Sequence, residues 1–179
     1  MSFSPHVQDK FTPLFKPRST AMVGASNDPK KWGFNILNTL IKGGYQGNIY
    51  PINPSEEQIL GLKVYNSMAA IPQTPDLAVI VVPPPSVSQV IRECVGKRIP
   101  SGIIITAGFA ELGENGARLQ QEMVTIARDG GMILVGPNCN GIMNPRQKLH
   151  IQFVEFLVPP GPIAIVAQSG NVLDRKSVV

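Results

Sequence analysis

Short apolar runs alternate with stretches of helical spacing along most of the chain. Residues 20–23 form the first run and lead into Gly24-Ala25-Ser26. Over residues 33–42, Phe34, Leu37, Leu40 and Ile41 recur at helical spacing with Ile36 beside them, and Gly43-Gly44 stops the pattern. Residues 48–52 read as a second strand ending at Asn53-Pro54. A short polar helix and a small segment around residues 63–65 are expected after it. Residues 77–82 are continuously apolar and rich in β-branched side chains, as in a strand covered on both faces. Pro83-Pro84-Pro85 ends that run, and Ser86 precedes Gln89 at capping-box spacing. Val87, Val90, Ile91, Cys94 and Val95 then share one helix face. Residues 102–106 predict another strand. Residues 115–129 predict a helix with Leu119, Met123, Ile126 and Ala127 inward, closed by Gly130-Gly131. Residues 132–135 predict a fifth strand running into Gly136-Pro137-Asn138-Cys139.

Regular alternation of strand and helix with short connections predicts an α/β fold, a Rossmann-like doubly wound parallel sheet over residues 18–145. Ligands of such sheets bind beyond the carboxyl ends of the strands. The informative segments are therefore Gly24-Ala25-Ser26, Asn53-Pro54, Val82-Pro83-Pro84, Ala107-Gly108-Phe109 and Pro137-Asn138-Cys139. Outside this region, residues 1–17 carry three prolines and read as an N-terminal arm. Residues 146–162, with Pro159-Pro160-Gly161-Pro162, read as a linker. Residues 163–167 are expected to be a buried strand opening a truncated second domain over 163–179, and residues 173–179 have no placeable pattern.

The 179 residues suit one ordinary domain and the start of another, and 43% hydrophobic content is that of a globular chain. No apolar run approaches the roughly 18–20 residues of a membrane helix, and the start lacks a secretory pattern. Two distant cysteines, Cys94 and Cys139, exclude a disulfide scaffold and a zinc site and fit a reducing cytoplasm. The net charge of +4 is scattered, with no basic run longer than two residues. That argues against nucleic acid and suits a small polyanionic ligand.

The loop over residues 24–33 lacks the second glycine of GxGxxG, and no Walker lysine motif is present. The second strand ends in Asn53 rather than the acid that holds ribose hydroxyls in dinucleotide folds, with Glu56-Glu57 further on. Lys30 and Lys31 stand just before a helix N-terminus, a combination that favours phosphate. A lone glycine loop also serves simply to turn the chain, and the residues leave both readings open. No GxSxG, HExxH or paired Cys/His spacing occurs, so no catalytic or metal residue is assigned. Cys139 reads as a reactive thiol in the cleft or as a small packed residue, the commoner behaviour of free cysteine. Glu111 and Glu114 are expected to be solvated, and His150 to be an ordinary surface or interdomain histidine.

Together, Val23-Gly24-Ala25-Ser26, Tyr50-Pro51-Ile52-Asn53-Pro54, residues 76–83, Ala107-Gly108-Phe109, Gly136-Pro137-Asn138-Cys139-Asn140-Gly141 and Gln168-Ser169-Gly170 make a specific set in a specific order. The set, over about residues 14–172, resembles the CoA-binding domain of ADP-forming acyl-CoA synthetases. These are the acetate–CoA ligase group, related to the succinyl-CoA synthetase α subunit. The resemblance implies CoA or acyl-CoA as ligand. Gly24, Ala25, Ser26 and Lys31 would lie at its phosphates, Asn53 and Pro54 at the adenosine end, and Val82 and Pro83 along the nucleotide. Ala107, Gly108, Phe109, Asn138 and Cys139 would lie along the pantetheine arm. It further implies that this chain does no chemistry alone. The phosphorylated histidine, ATP or ADP, and Mg would belong to a following catalytic domain and an ATP-grasp module or subunit. His150 does not match the catalytic position.

Three departures stand out. Ser55 occupies a position where the family often has Lys, which removes an expected contact to the CoA 3′-phosphate. Asn140 stands where Leu or Pro is more usual. Leu173-Asp174-Arg175 follows the last motif where a glycine is expected. The acyl substrate is not legible. A synthetase-like acetyltransferase, a stand-alone CoA-binding protein and an NAD(H)-binding Rossmann domain remain as alternatives, and the exposed apolar strand from Ile163 leaves self-association open.

Overall fold

Five of the apolar runs pair in parallel in a computed structural model that describes residues 5–168. The strands are β1 (Ser19–Val23), β2 (Asn48–Ile52), β5 (Leu77–Ile80), β6 (Ser101–Ile104) and β7 (Ile133–Val135), in the spatial order β2-β1-β5-β6-β7. Two small hairpins supply the intervening strands, β3 (Gln58–Ile59) with β4 (Leu62–Lys63), and β8 (Gly141–Asn144) with β9 (Leu149–Gln152). Among the described residues there are four α-helices: α1 (Pro5–Phe15), α2 (Trp32–Lys42), α3 (Pro84–Gly96) and α4 (Glu114–Asp129).

The sheet is the middle of three layers, because period-two alternation sends successive apolar side chains to opposite faces. Ala21, Val23, Ala78, Ile80 and Ile104 meet Val87, Ile91 and Cys94 of α3 and Met123 and Ala127 of α4. Met22, Leu77, Val79, Ile103 and Ile105 meet Leu14 of α1, Ile36, Leu37 and Leu40 of α2, and Leu149 and Ile151 of β9. The three central strands are buried along their whole length. This is why their sequences run apolar without a break. The chain leaves β1 toward β2 and then crosses back past β1 to β5. The order reverses between β1 and β5, and a doubly wound sheet opens its crevice there.

The structure corrects the expectations at several points. The N-terminal segment is not a loose arm: α1 puts Leu14 into the core at 2% exposure, and the Asn144 side chain donates to the Phe15 carbonyl at 2.8 Å. The polar helix expected after Asn53-Pro54 is instead the β3–β4 hairpin. Its turn residues Leu60 and Gly61 both have positive φ (49° and 81°), as a two-residue hairpin turn requires. The helix α3 begins with Pro83 at its N-cap, so Ser86 lies within the first turn and Gln89 donates to Glu93 rather than closing a capping box. Proline lacks an N–H and has a helical φ, so it starts a helix at no hydrogen-bond cost.

Within the expected linker, β9 is a fully buried strand packed on α2. Residues 163–167, expected to be a buried strand, have no strand structure, and Val166 is 100% exposed. Among the described residues no strand pairs with this run, so its backbone groups are left to solvent. Ser169, Gly170 and the tail to residue 179 lie outside the described residues, as does the side chain of His6.

His150 is buried at 4% exposure rather than on the surface, and no described group partners its Nδ1. Its ring stacks so closely on the end of α2 that a Cβ on Gly43 would lie 2.6 Å from Cδ2. Burial disfavours the imidazolium and holds the pKa below the ordinary value. As pH falls from about 6.5 toward 5, the unfolded chain therefore takes up a proton that the folded chain refuses, and stability falls. The urea midpoint should drop across this window, and His150→Gln should flatten that part of the profile; an unchanged slope would show that another group sets it.

Candidate functional site

All five loops singled out in the sequence lie at the carboxyl ends of the parallel strands, side by side in the order of the sheet. Five strands at about 4.8 Å spacing make a rim roughly 19 Å long. Each loop is tied to the next. The Asn53 amide donates to the Ala25 carbonyl at 2.8 Å, joining the β2 and β1 loops. The Val81 N–H donates to the Val23 carbonyl at 2.9 Å, joining β5 to β1. The Thr106 hydroxyl donates to the Val82 carbonyl at 2.7 Å, and the Asn138 N–H to the Thr106 carbonyl at 2.9 Å. The Cys139 thiol closes the row by donating to the Ile104 carbonyl at 3.3 Å.

At the crevice, close backbone approach replaces side chains. Gly24 has φ +89°, and a Cβ there would come within 2.5 Å of the Val81 carbonyl oxygen. A Cβ on Gly33, in the first turn of α2, would come within 2.0 Å of the Gly24 carbonyl oxygen. These two glycines let the helix start rest on the β1 loop, and the first-turn N–H groups of α2 face the carboxyl end of the sheet. Between them the Ser26 hydroxyl accepts from the Asp28 N–H at 3.0 Å, and the Asp28 carboxylate accepts from the Lys30 N–H at 2.9 Å. Lys31 caps α2 with an extended backbone, and its side chain is exposed beside that of Lys30. Among the described residues neither lysine ammonium has an acidic partner, and together with the helix N–H groups and the tight glycine loop they form a cradle suited to phosphate.

The remaining candidates divide between lining and support. Val82, Pro83, Ala107, Gly108 and Asn138 are at least partly open to solvent, and Asn138 takes a left-handed φ of 52°. Pro54 is exposed at the end of β2. The ring of Phe109 is 1% exposed and belongs to the core under α3 and α4, so it supports the loop rather than lining it. Ala25 and Ser26 are also buried, which leaves their backbone and the Ser26 hydroxyl for function. Asn53 uses both ends of its amide internally, since its Oδ1 accepts from the Ser55 N–H at 2.8 Å.

Burial pushes the Cys139 thiol up to about 11 and the Cys94 thiol up to about 12, so both stay protonated near neutrality. Of the two readings of Cys139, the small packed residue matches this environment.

Two supporting residues were not assigned from the sequence. The Glu111 carboxylate accepts from the Gly108 N–H at 2.6 Å, and that hydrogen bond leads the lowering of its pKa. It holds the Ala-Gly-Phe loop instead of facing solvent alone. Thr106 bridges β5 and β6, and its position directly after an apolar run was the available signal. Among the described residues no group of acids, histidines or cysteines could hold a metal ion.

A profile of the CoA binding domain family matches residues 18–145. The acetate–CoA ligase (ADP-forming) II subunit alpha of Pyrococcus furiosus is 46% identical over 158 residues, which are 88% of this chain and 34% of that protein. A crystal structure of a Pyrococcus horikoshii protein matches with a TM-score of 0.88 at 40% identity, covering 94% of this chain and 39% of that one. The dinucleotide-forming acetyl-coenzyme A synthetase 1 of Candidatus Korarchaeum cryptofilum, in complex with phosphate and ADP, matches with a TM-score of 0.77 at 38% identity. That match covers 80% of this chain and 30% of the synthetase chain. The chain thus spans about a third of the length of these relatives.

Two expectations follow from this geometry. Gly33→Ala should lower stability by about 1–3 kcal/mol in urea denaturation, because the added methyl overlaps a carbonyl that cannot move without opening the β1 loop. A wild-type midpoint would show that the helix start yields. The native protein at pH 8 should react with a disulfide thiol reagent far more slowly than the unfolded chain, which exposes both cysteines; rapid modification of one thiol would mark Cys139 as activated.

Proposed function

The chain belongs to the family of CoA-binding domains, and from that premise we propose that it is the CoA-holding part of an ADP-forming acid–CoA ligase. The whole reaction would be carboxylate, ATP and CoA going to acyl-CoA, ADP and phosphate. The observation that carries this reading is the rim itself. It joins a phosphate-suited cradle at the start of α2 to a row of glycine, proline and asparagine loops wide enough for an extended ligand.

The residues fit CoA by chemistry. Backbone N–H groups around Ser26, with Lys31, suit the diphosphate. Pro54, Val82 and Pro83 offer apolar surface to the nucleotide. Ala107, Gly108 and the Asn138 amide suit the polar and apolar stretches of a pantetheine chain. When bound, CoA supplies the thiol that accepts the acyl group. The work of this chain is to bind it, orient it along the rim and leave the thiol at the β6–β7 end. Transfer of phosphate, and the handling of ATP and Mg, would fall to a histidine-bearing domain and an ATP-grasp module or subunit beyond the residues matched here. No helix among the described residues is long and apolar enough to cross a membrane. The two free cysteines suit a reducing compartment, and we place the ligase in the cytoplasm on that ground.

NAD(H) is the competing ligand. Asn53, in the place where dinucleotide folds carry the acid that holds free ribose hydroxyls, already satisfies both ends of its amide, and the acids Glu56 and Glu57 come only further along the loop. Calorimetric titration of the chain with CoA and with NAD separates the two. CoA should bind and NAD should not, and Lys31→Ala should weaken CoA by about 1 kcal/mol, roughly five-fold. Binding of NAD with CoA silent would overturn the assignment.

A further inference from the structure

CoA carries a phosphate on its adenosine ribose, and the end of the second strand is where a doubly wound sheet distinguishes phosphorylated from free ribose. At that end lies a groove of about 560 Å³, whose lining includes Pro54, Ser55, Glu56, Glu57, Lys63 and Tyr65. Lys63 is the one cation among its lining residues. We propose that Lys63 receives the ribose phosphate of CoA, in place of a charge at Ser55; this rests on the CoA reading of the rim.

The hairpin that carries Lys63 is fixed to the rim. Tyr65 continues from β4 alongside β2: its N–H donates to the Pro51 carbonyl at 2.9 Å, and its carbonyl accepts from the Asn53 N–H at 3.0 Å. The Tyr65 ring packs edge-on against Tyr50 with centroids 5.8 Å apart. The Lys63 ammonium lies 5.5 Å from the centroid of that ring, close enough for a cation–π attraction to hold it over the groove. Among the described residues no carboxylate lies within ion-pair distance of it, so the cation is free to pair with a ligand.

The acids of the groove act against an anion to different degrees. Glu56 accepts from the Asn27 amide at 2.8 Å and is turned to the β1 loop. Glu57 is exposed and unlatched at its side chain, so it opposes a phosphate in the groove.

The test is parallel titration of CoA and dephospho-CoA with the wild-type chain and with Lys63→Gln, Lys63→Arg and Glu57→Gln. Wild type should prefer CoA by about ten-fold, the discrimination of one charge-assisted contact. Lys63→Gln should bring CoA down to the level of dephospho-CoA while leaving dephospho-CoA unchanged. Lys63→Arg should keep most of the preference, and Glu57→Gln should tighten CoA alone by about two- to three-fold. Retained preference in Lys63→Gln, equal weakening of both ligands, or no preference in wild type would each overturn the role of Lys63 while leaving the CoA site standing. Failure of wild type to bind either ligand would instead overturn the CoA reading.

Discussion

The start of α2 touches the backbone of the β1 loop, which in turn touches the end of β5, and no side chain fits at either contact. Gly33 against the Gly24 carbonyl and Gly24 against the Val81 carbonyl set the distance between helix, loop and crevice. A helix held that close keeps its unpaired N–H groups at the point where the strand order reverses. Sheet order and helix placement alone would put a crevice there; the glycine contacts make its floor out of backbone, which phosphate oxygens can approach.

The rim beyond that point is held by polar side chains turned inward. Asn53, Thr106 and Cys139 each donate to a carbonyl of the neighbouring strand end, while the exposed Glu111 folds back on the Gly108 N–H of its own loop. Buried or half-buried polar groups of this kind cost free energy unless paired, and pairing them across loops makes the five strand ends behave as one rigid edge. Several residues that look like ligand contacts in the sequence therefore serve the scaffold. The candidate ligand-facing surface offers mostly main chain, proline rings and small side chains, with its cations gathered at the β2–β1 end.

Placement of charge matters more than the total. The excess of four positive charges is spread over the molecule, yet Lys30 and Lys31 flank the helix start and Lys63 overhangs the β2 groove. The two positions bracket the end of the rim where a diphosphate and a ribose phosphate would lie if CoA runs from β2 toward β7. A field arranged this way both attracts a polyanion and orients it, because the opposite end, near Asn138 and Cys139, offers no cation from its own loop.

Apolar periodicity with its Gly and Pro stops was enough to identify five parallel strands and three of the four α-helices among the described residues, and with the fold class it pointed to the strand ends as the candidate site. Residues 77–82 and the Val87-to-Val95 face are local patterns, set by burial of the residues that form them, and burial is what periodicity records. The helix over residues 5–15 and the buried strand β9 escaped because their partners lie far away in the chain. Leu14 and Ile151 find α2 and the sheet only after folding, and Pro13 and Pro145 nearby suggested loops. The same distance in sequence hid the tie of Asn53 to Ala25 and the fold-back that lays Lys63 at the β2 groove, whereas Glu111 lies only three residues from Gly108 and was hidden by the loop conformation that turns its carboxylate back. Composition and spacing determined the fold class, the strand-end loops and the suitability for a phosphate-bearing ligand. Only the tertiary structure decided which of those loop residues face outward and which hold the rim together, since that choice depends on hydrogen bonds and close contacts between segments that the sequence keeps apart.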